Sequence, residues 1–332
     1  MVPTLGIAWR TETHIHVIAV DIGASGLRAA TANLDGEMLE RADRAFELDA
    51  TADELRTAFR EVIASLGPLG AGDDADKAAV HKTAVGVAIP GFLARGGTVK
   101  PGLNLTAMIG MDVTAEFCLA TGHRDVVVLP DLAAAALAEA SIGTDPDARL
   151  LCVGLGSGVN AALAVGGRVV DLADGALGDA GHVVVEPDGP ACPCGGRGCL
   201  EAVCSGIALA RDGTPFGLTD GRAVVEAARA GHPDAVRIIE RAGIALGRAI
   251  ASWAAMTVPD VVTVVGGLSP AGDLLLDPAR RELARVAQPR YATTLAIRPG
   301  VLGQDATLVG AAVAAGALAR SAQHTVLEKG SR

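Results

Sequence analysis

Val17-Ile-Ala-Val-Asp21-Ile-Gly23-Ala-Ser25-Gly26 is the stretch that decides how this chain folds. His14 to Ile22 is an apolar run that ends in a carboxylate and a glycine, the pattern of a buried strand. Gly26 to Asn33 and Glu37 to Leu48 read as the next two strands, turned by Leu34-Asp35-Gly36. The first turn is built of small residues, which bring backbone N–H groups close to an anion, and Ser25 adds a hydroxyl donor. Asp21 would suit a metal bound to phosphate. The same residues also make an ordinary hairpin turn, and local sequence leaves both readings open.

Working outward, Thr51-x-x-Glu54 is a capping box that opens a helix to about Ser65. Gly67 to Asp76 reads as a loop, and Ala84 to Ile89 as a buried strand stopped by Pro90-Gly91. Asp125 to Leu129 is a further strand, after which Asp131 opens an Ala-rich helix to about Ala140. Leu150 to Gly154 and Val159 to Val165 begin a second strand set, with Gly166-Gly167 turning into Arg168 to Asp171. Helices follow near 200–210 and 220–230, then a long one from Pro233 to about Met256. Strand Val261 to Val265, a helix, strand Leu295 to Arg298 and a helix near 306–320 close the chain. Strands followed by helices, twice over, imply two α/β halves with a cleft between them.

Two more small-residue loops follow strands, Gly154-Leu-Gly156-Ser157-Gly158 and Val264-Val-Gly266-Gly267-Leu-Ser269. Three such loops at strand ends fit a nucleotide laid across a cleft. Neither the Walker A pattern nor Gly-x-Gly-x-x-Gly is present, which argues against P-loop NTPases and Rossmann dehydrogenases. Asp131, where strand meets helix, reads as an N-cap. A carboxylate held that way also stays ionised and fixed, and at the mouth of a cleft it could take a proton from an attacking hydroxyl.

His182 and the run Cys192-Pro-Cys194-Gly-Gly-Arg-Gly-Cys199-Leu-Glu201 carry a second signal. Three thiolates and one imidazole form a closed tetrahedral shell suited to a structural Zn²⁺, and the glycines let the backbone wrap one ion. Glu201 follows the last ligand by two residues. Of the six cysteines, Cys118 and Cys152 read as buried free thiols and Cys204 is given no role. This usage suits a reducing compartment. A closed shell leaves no open position for a zinc hydrolase.

The 332 residues suffice for two domains and a full core. Half the residues are hydrophobic but only 2% are aromatic, so Ala, Val, Leu and Ile must fill that core. A formal charge of −10 argues against nucleic acid or an anionic membrane as partner. No apolar run has the length of a membrane span or the form of a signal peptide. The expectation is a cytoplasmic protein.

Together these segments resemble the ROK family of sugar kinases and sugar-responsive repressors, within the actin-like ATPase (ribonuclease H-like) fold, from about Val17 to Leu318. Asp21 to Gly26 is similar to the family's Asp-Ile-Gly-Gly-Thr-Lys, Gly86 to Gly91 to its next signature, and Asn104-Leu105 to its sugar-contacting pair. Pro130 to Glu139 resembles the segment that carries the catalytic Asp. Gly156 to Val159 resembles the phosphate loop, and Gly178 to His182 the family's Gly-Glu-x-Gly-His. Cys192 to Glu201 matches the zinc signature, and Pro259 to Gly267 the strand before the adenine site.

The resemblance implies an ATP-dependent kinase for a hexose-like sugar, acting on an alcohol group, the primary one, with Asp131 as general base. It implies that Gly91, Asn104, Asp131, Asp179, His182 and Glu201 bind the sugar. Asp21, Gly23, Ser25, Gly156, Ser157, Gly158, Gly266 and Gly267 would hold ATP with Mg²⁺, and His182, Cys192, Cys194 and Cys199 a structural Zn²⁺. It further implies a homodimer or homotetramer. The implied organisation is an extension at 1–16 and an N-terminal lobe at 17–130, with the helix at about 306–322 packing back onto it. A C-terminal lobe with the zinc knuckle follows at 131–305, and a tail at 323–332.

The family's Asn before the catalytic Asp is Pro130 here, its second Asn is Ala133, its Glu is the shorter Asp179, and its first-turn Lys is Gly26. The two glycines after its phosphate loop are Asn160-Ala161. These departures point to an amino sugar or a cyclitol rather than plain glucose. They also leave a catalytically silent sugar sensor as the alternative. The family's repressors carry a helix-turn-helix before the first strand, for which about 15 residues are too few.

Overall fold

The computed structural model describes residues 16–23, 26–33, 37–67, 84–94, 97–101, 105–142, 145, 147–170 and 178–330. The chain falls into two compact units. One runs to Leu129 and resumes at Ala311, and the other is Pro130–Gly310.

The first unit is built on a five-stranded sheet of order β3-β2-β1-β4-β5. Its strands are β1 (His16–Ile22), β2 (Gly26–Asn33), β3 (Met38–Ala45), β4 (Val85–Ile89) and β5 (Val126–Pro130). β1 and β2 form an antiparallel hairpin in which Asp21 stands opposite Arg28, while β1 and β4 run parallel. β1 and β4 are buried nearly throughout, as their unbroken apolar runs require. β3 is shorter than the sequence suggests and mostly exposed, an edge strand studded with charge.

Helix α1 (Ala52–Ala64) starts at the expected capping box. Thr51 Oγ1 accepts the Glu54 N–H at 3.3 Å, and Glu54 Oε2 accepts the Thr51 N–H at 2.7 Å. A second helix, α2 (Val113–Thr121), was not visible in the sequence pattern. Its residues are apolar on nearly every side, so no 3.6-residue stripe stands out. Its ends are nevertheless marked. Asp112 accepts the Ala115 N–H at 2.9 Å, and Gly122 closes it at φ 73°. Phe59 of α1 and Phe117 of α2 meet with ring centroids 4.9 Å apart, and each buried ring is worth about 1.5–3 kcal/mol.

The second unit holds the sheet β10-β9-β6-β7-β8. Its strands are β6 (Arg149–Leu155), β7 (Val159–Val165), β8 (Arg168–Val169), β9 (Val261–Val265) and β10 (Ala296–Pro299). β6, β9 and β10 are parallel, and β6 turns directly into antiparallel β7. The helices are α3 (Asp131–Ile142), α4 (Glu201–Cys204), α5 (Gly206–Gly213), α6 (Gly221–Arg229), α7 (Pro233–Thr257), α8 (Asp273–Val286) and α9 (Pro289–Thr294). A last helix, α10 (Ala306–Gly330), begins in this unit and passes into the first at Gly310/Ala311. The core is mainly Ala, Val, Leu and Ile, with Trp253 on α7 packed among them. Among the described residues no helix is long and apolar enough to cross a membrane.

One buried carboxylate organises the entry to α10. Glu139 on α3 is fully buried. Its Oε2 accepts the Val301 N–H and its Oε1 the Leu302 N–H, each at 3.1 Å. Hydrogen bonds to a charged acceptor contribute about 1.5–3 kcal/mol each. Glu139→Ala is therefore expected to lower the thermal midpoint by several degrees, at about 2–4 °C per kcal/mol for a unit of this size. An unchanged midpoint would show that the clamp contributes nothing.

Candidate active site and metal centre

At one end of the second sheet, the C-termini of parallel β6 and β9 lie side by side, and the loops Gly156-Ser157-Gly158 and Gly266-Gly267 leave from them. The two loops are tied together, since Leu268 donates its N–H to the Leu155 carbonyl at 3.1 Å. Gly156 donates to the Gly158 carbonyl at 2.9 Å, which curls the first loop tightly, and the Gly206 N–H docks on the Gly156 carbonyl at 2.7 Å.

Three carboxylates and an imidazole of the second unit are placed about this end. Asp131 is itself the first residue of α3, not the cap preceding it, and its Oδ1 accepts the Leu132 N–H at 2.6 Å. Leu132 packs over Gly154, where a Cβ would stand 2.9 Å from Leu132 Cδ1. That contact seats the start of α3 beside the strand that feeds the Gly156 loop. Glu201, the first residue of α4, reaches back so that its Oε2 accepts the Val159 N–H at 2.9 Å. A single 3₁₀ turn, Ala180–His182, presses on the same strand. At Gly181 a Cβ would lie 2.1 Å from the Val159 carbonyl oxygen, so no other residue fits there without displacing β7. This close approach sets Asp179, which precedes the turn, and His182, its last residue. Asp179 is exposed, and its carboxylate has no partner among the described residues.

His182 also belongs to a cluster with Cys192, Cys194 and Cys199, whose ligand atoms all lie within 4.8 Å of one another. The knuckle is a miniature hairpin. Ala191 bridges Arg197, Val184 bridges Cys199, and the Cys192 N–H donates to the Gly196 carbonyl at 2.9 Å. Cys192 Sγ lies 3.5 Å from His182 Nδ1, and Cys194 Sγ lies 3.7 Å from Cys199 Sγ. A tetrahedral zinc with Zn–S near 2.3 Å and Zn–N near 2.05 Å requires about 3.5 Å between S and N and about 3.8 Å between two S. The donor set and spacing thus fit Zn²⁺. Nδ1 faces the sulfurs, and Nε2 has no partner among the described residues. Cys204, just beyond, is buried in the core with its thiol pushed up to about 12 by desolvation, a neutral packing group. Cys152 is likewise buried, but Cys118 is only half-buried, because it sits on the outer part of α2.

In the first unit, Asp21 and Gly23 stand at the C-terminal end of β1, and Gly91 lies just beyond parallel β4 at φ 82°. Asp21 is buried, which raises its pKa, and Arg28 partly offsets the rise. Arg28 Nε donates to Asp21 Oδ2 at 3.1 Å, and its terminal NH₂ makes a second contact with the same oxygen. Sequence reading passed over this arginine. The signal was available, because the antiparallel register of β1 and β2 places residue 28 opposite residue 21. Ser25 and Asn104 lie outside the described residues.

The fold therefore gathers Asp131, the Gly156 and Gly266 loops, Asp179, His182 and Glu201 within one unit. Over 317 residues the chain is 29% identical to a glucokinase of Thermotoga maritima, covering 90% of this chain and 96% of that one. It is 31% identical over 305 residues to an N-acetylmannosamine kinase of Citrobacter koseri, covering 90% and 98%. Among solved structures, a ROK family glucokinase of Streptomyces griseus in complex with glucose and AMPPNP superposes with a TM-score of 0.72 at 28% identity, over 90% of this chain and 99% of that one. The ROK family profile matches residues 17–317, from the first strand into the last helix, and the chain belongs to the ROK family.

Proposed function

We propose that the protein is an ATP-dependent sugar kinase that phosphorylates a hydroxyl, the primary one, of a hexose-like sugar, amino sugar or cyclitol. The observation that carries the reading is Asp131. It is a carboxylate that accepts a backbone N–H at the start of α3, and the next residue, Leu132, packs over Gly154 on the strand that leads into the Gly156-Ser157-Gly158 loop. Relatives named as glucokinases and N-acetylmannosamine kinases support the class of reaction.

In this reading Asp131 accepts the proton of the attacking hydroxyl, a step worth about 10²- to 10⁴-fold. Phosphoryl transfer asks chiefly for alignment and charge stabilisation. Backbone N–H groups of Gly156, Ser157, Gly158, Gly266 and Gly267 serve the nucleotide, together with Asp21, Gly23 and Ser25. Mg²⁺, when bound, neutralises phosphate charge. Gly91, Asn104, Asp179, Glu201 and His182 Nε2 grip acceptor hydroxyls, while His182 Nδ1 and the three thiolates hold Zn²⁺ as a structural brace. Pro130, Ala133 and the shortened Asp179 remove polar reach at the acceptor, which favours an amino sugar or cyclitol over glucose.

A coupled ADP-release assay on zinc-replete protein, with ATP, Mg²⁺ and a panel of glucose, N-acetylated hexosamines, amino-glucoses and cyclitols, tests this. Turnover on one panel member establishes the kinase. Glucose as by far the best acceptor would overturn the substrate assignment, and binding without turnover would indicate a silent sensor. Glu201→Gln is expected to raise the acceptor KM about 10- to 100-fold, the scale of hydrogen bonds to a charged group. The KM for MgATP should change little. An unchanged acceptor KM would remove Glu201 from the sugar site.

A further inference from the structure

The second unit holds an open pocket of about 620 Å³ between the loop after Val185, the zinc knuckle, α5 and α7. No residue assigned above to acceptor, nucleotide or zinc lines it. Four arginines and three acids do, in a chain whose formal charge is −10. The volume suits a small metabolite, and walls of charge rather than apolar surface suit a polar one.

The arginines come from three places. Arg197 stands on the knuckle, Arg211 on α5, and Arg241 and Arg248 two turns apart on one face of α7. Two of the acids are already committed. Arg241 grips Glu186 with both prongs, Nε to Oε1 at 3.1 Å and Nη2 to Oε2 at 2.6 Å. Asp212 takes Arg211 Nε at 2.7 Å and Arg241 Nη1 at 3.3 Å. Arg248 is spent on Glu282 Oε1 at 2.8 Å and the Val185 carbonyl at 3.2 Å. Arg197 is exposed and its guanidinium has no partner among the described residues, nor do the terminal nitrogens of Arg211. The pocket thus offers two guanidinium groups with donors to spare, and their planar forks match phosphate oxygens. The third acid, Asp188, is exposed and equally without a partner among the described residues, so it can accept from a ligand hydroxyl. No aromatic side chain lines the pocket to stack a nucleobase.

The walls are also shaped in advance. Gly198, at φ 66°, presses on the Glu186 carbonyl, where a Cβ would stand 1.5 Å from the oxygen. Its own carbonyl accepts the N–H of Val185 at 2.8 Å and of Glu186 at 3.1 Å. Those contacts hold the backbone that carries Arg197 against the backbone that carries Glu186, so a ligand need order little beyond side chains.

We propose that this pocket binds a small phosphorylated sugar, with Arg197 and Arg211 on the phosphate and Asp188 on a hydroxyl. The assignment does not depend on the kinase reading. A cluster of solvated ion pairs with no ligand predicts no binding.

Calorimetric titration of the zinc-replete protein with glucose 6-phosphate, and with inorganic phosphate in parallel, separates the two. Glucose 6-phosphate is expected to bind more tightly than inorganic phosphate. Arg197→Gln and Arg211→Gln, both at exposed positions, should each weaken it at least about tenfold, the scale of one hydrogen bond between a charged donor and an anion. Glu201→Gln, which alters the proposed acceptor site, should leave this binding in place. No binding by the wild-type protein would overturn the proposal. So would binding that survives in both folded arginine variants and is lost in Glu201→Gln, which would put the ligand in the acceptor site. Inorganic phosphate binding as tightly as glucose 6-phosphate would overturn the sugar part of the assignment.

Discussion

Asp131→Asn should fold, bind acceptor and nucleotide with near wild-type affinity, and lose turnover by about 10²- to 10⁴-fold. Asparagine is nearly isosteric, and its amide oxygen can still accept the Leu132 N–H that the carboxylate takes at 2.6 Å. The start of α3 is thus preserved while the capacity to receive a proton is removed. A loss in kcat with little change in either KM is the signature of an interaction made only in the transition state. Raised KM with unchanged kcat would instead mean that Asp131 binds the acceptor without acting as base. Full activity would place the base elsewhere.

Loss of the metal should be the most damaging change outside the reacting centre. Cys199 is buried, lies 3.7 Å from Cys194 Sγ, and is followed two residues later by Glu201. Structural zinc sites supply on the order of 10 kcal/mol of apparent binding free energy in isolated fingers. With no metal, three sulfurs and an imidazole within 4.8 Å of one another have nothing to gather them. Wild-type protein is expected to carry one zinc per chain by elemental analysis. Cys199→Ala should purify without zinc, lower the thermal midpoint, and cost at least about a hundredfold in kcat/KM for the acceptor. Glu201 and His182 would both lose their anchorage, whereas MgADP affinity should be far less affected. A zinc-free Cys199→Ala with wild-type acceptor kinetics would separate the knuckle from the sugar site altogether.

Both predictions rest on features that sequence announced in different ways. The knuckle was legible because metal ligation fixes residue type and spacing together, and Cys192, Cys194 and Cys199 can do little else at that separation. The strands were legible where burial on both faces leaves an unbroken apolar run, as in β1, β4 and β9. Helix α2 was hidden by the same physics, since an almost wholly apolar segment has no periodicity to read. Glu139 could be seen as an acidic residue in an Ala-rich helix. Its partners are the backbone N–H groups of Val301 and Leu302, and backbone donors leave no trace in residue identity. Gly181 reads as one more glycine until the Val159 carbonyl is found against it. The pairing of Asp21 with Arg28 was within reach of a register count across the first hairpin, but charge pairing across a turn is visible only once the strands are aligned.

Transfer of a phosphoryl group from ATP to an acceptor hydroxyl can be followed by tracing the group itself. Protein loaded with zinc would be incubated with Mg²⁺, γ-labelled ATP and the panel of hexoses, amino sugars and cyclitols, and the products separated and counted. Label should appear in a phosphate ester of one panel member, matched mole for mole by ADP and absent with Asp131→Asn. Acceptors that bind yet never take up label would contradict the kinase reading.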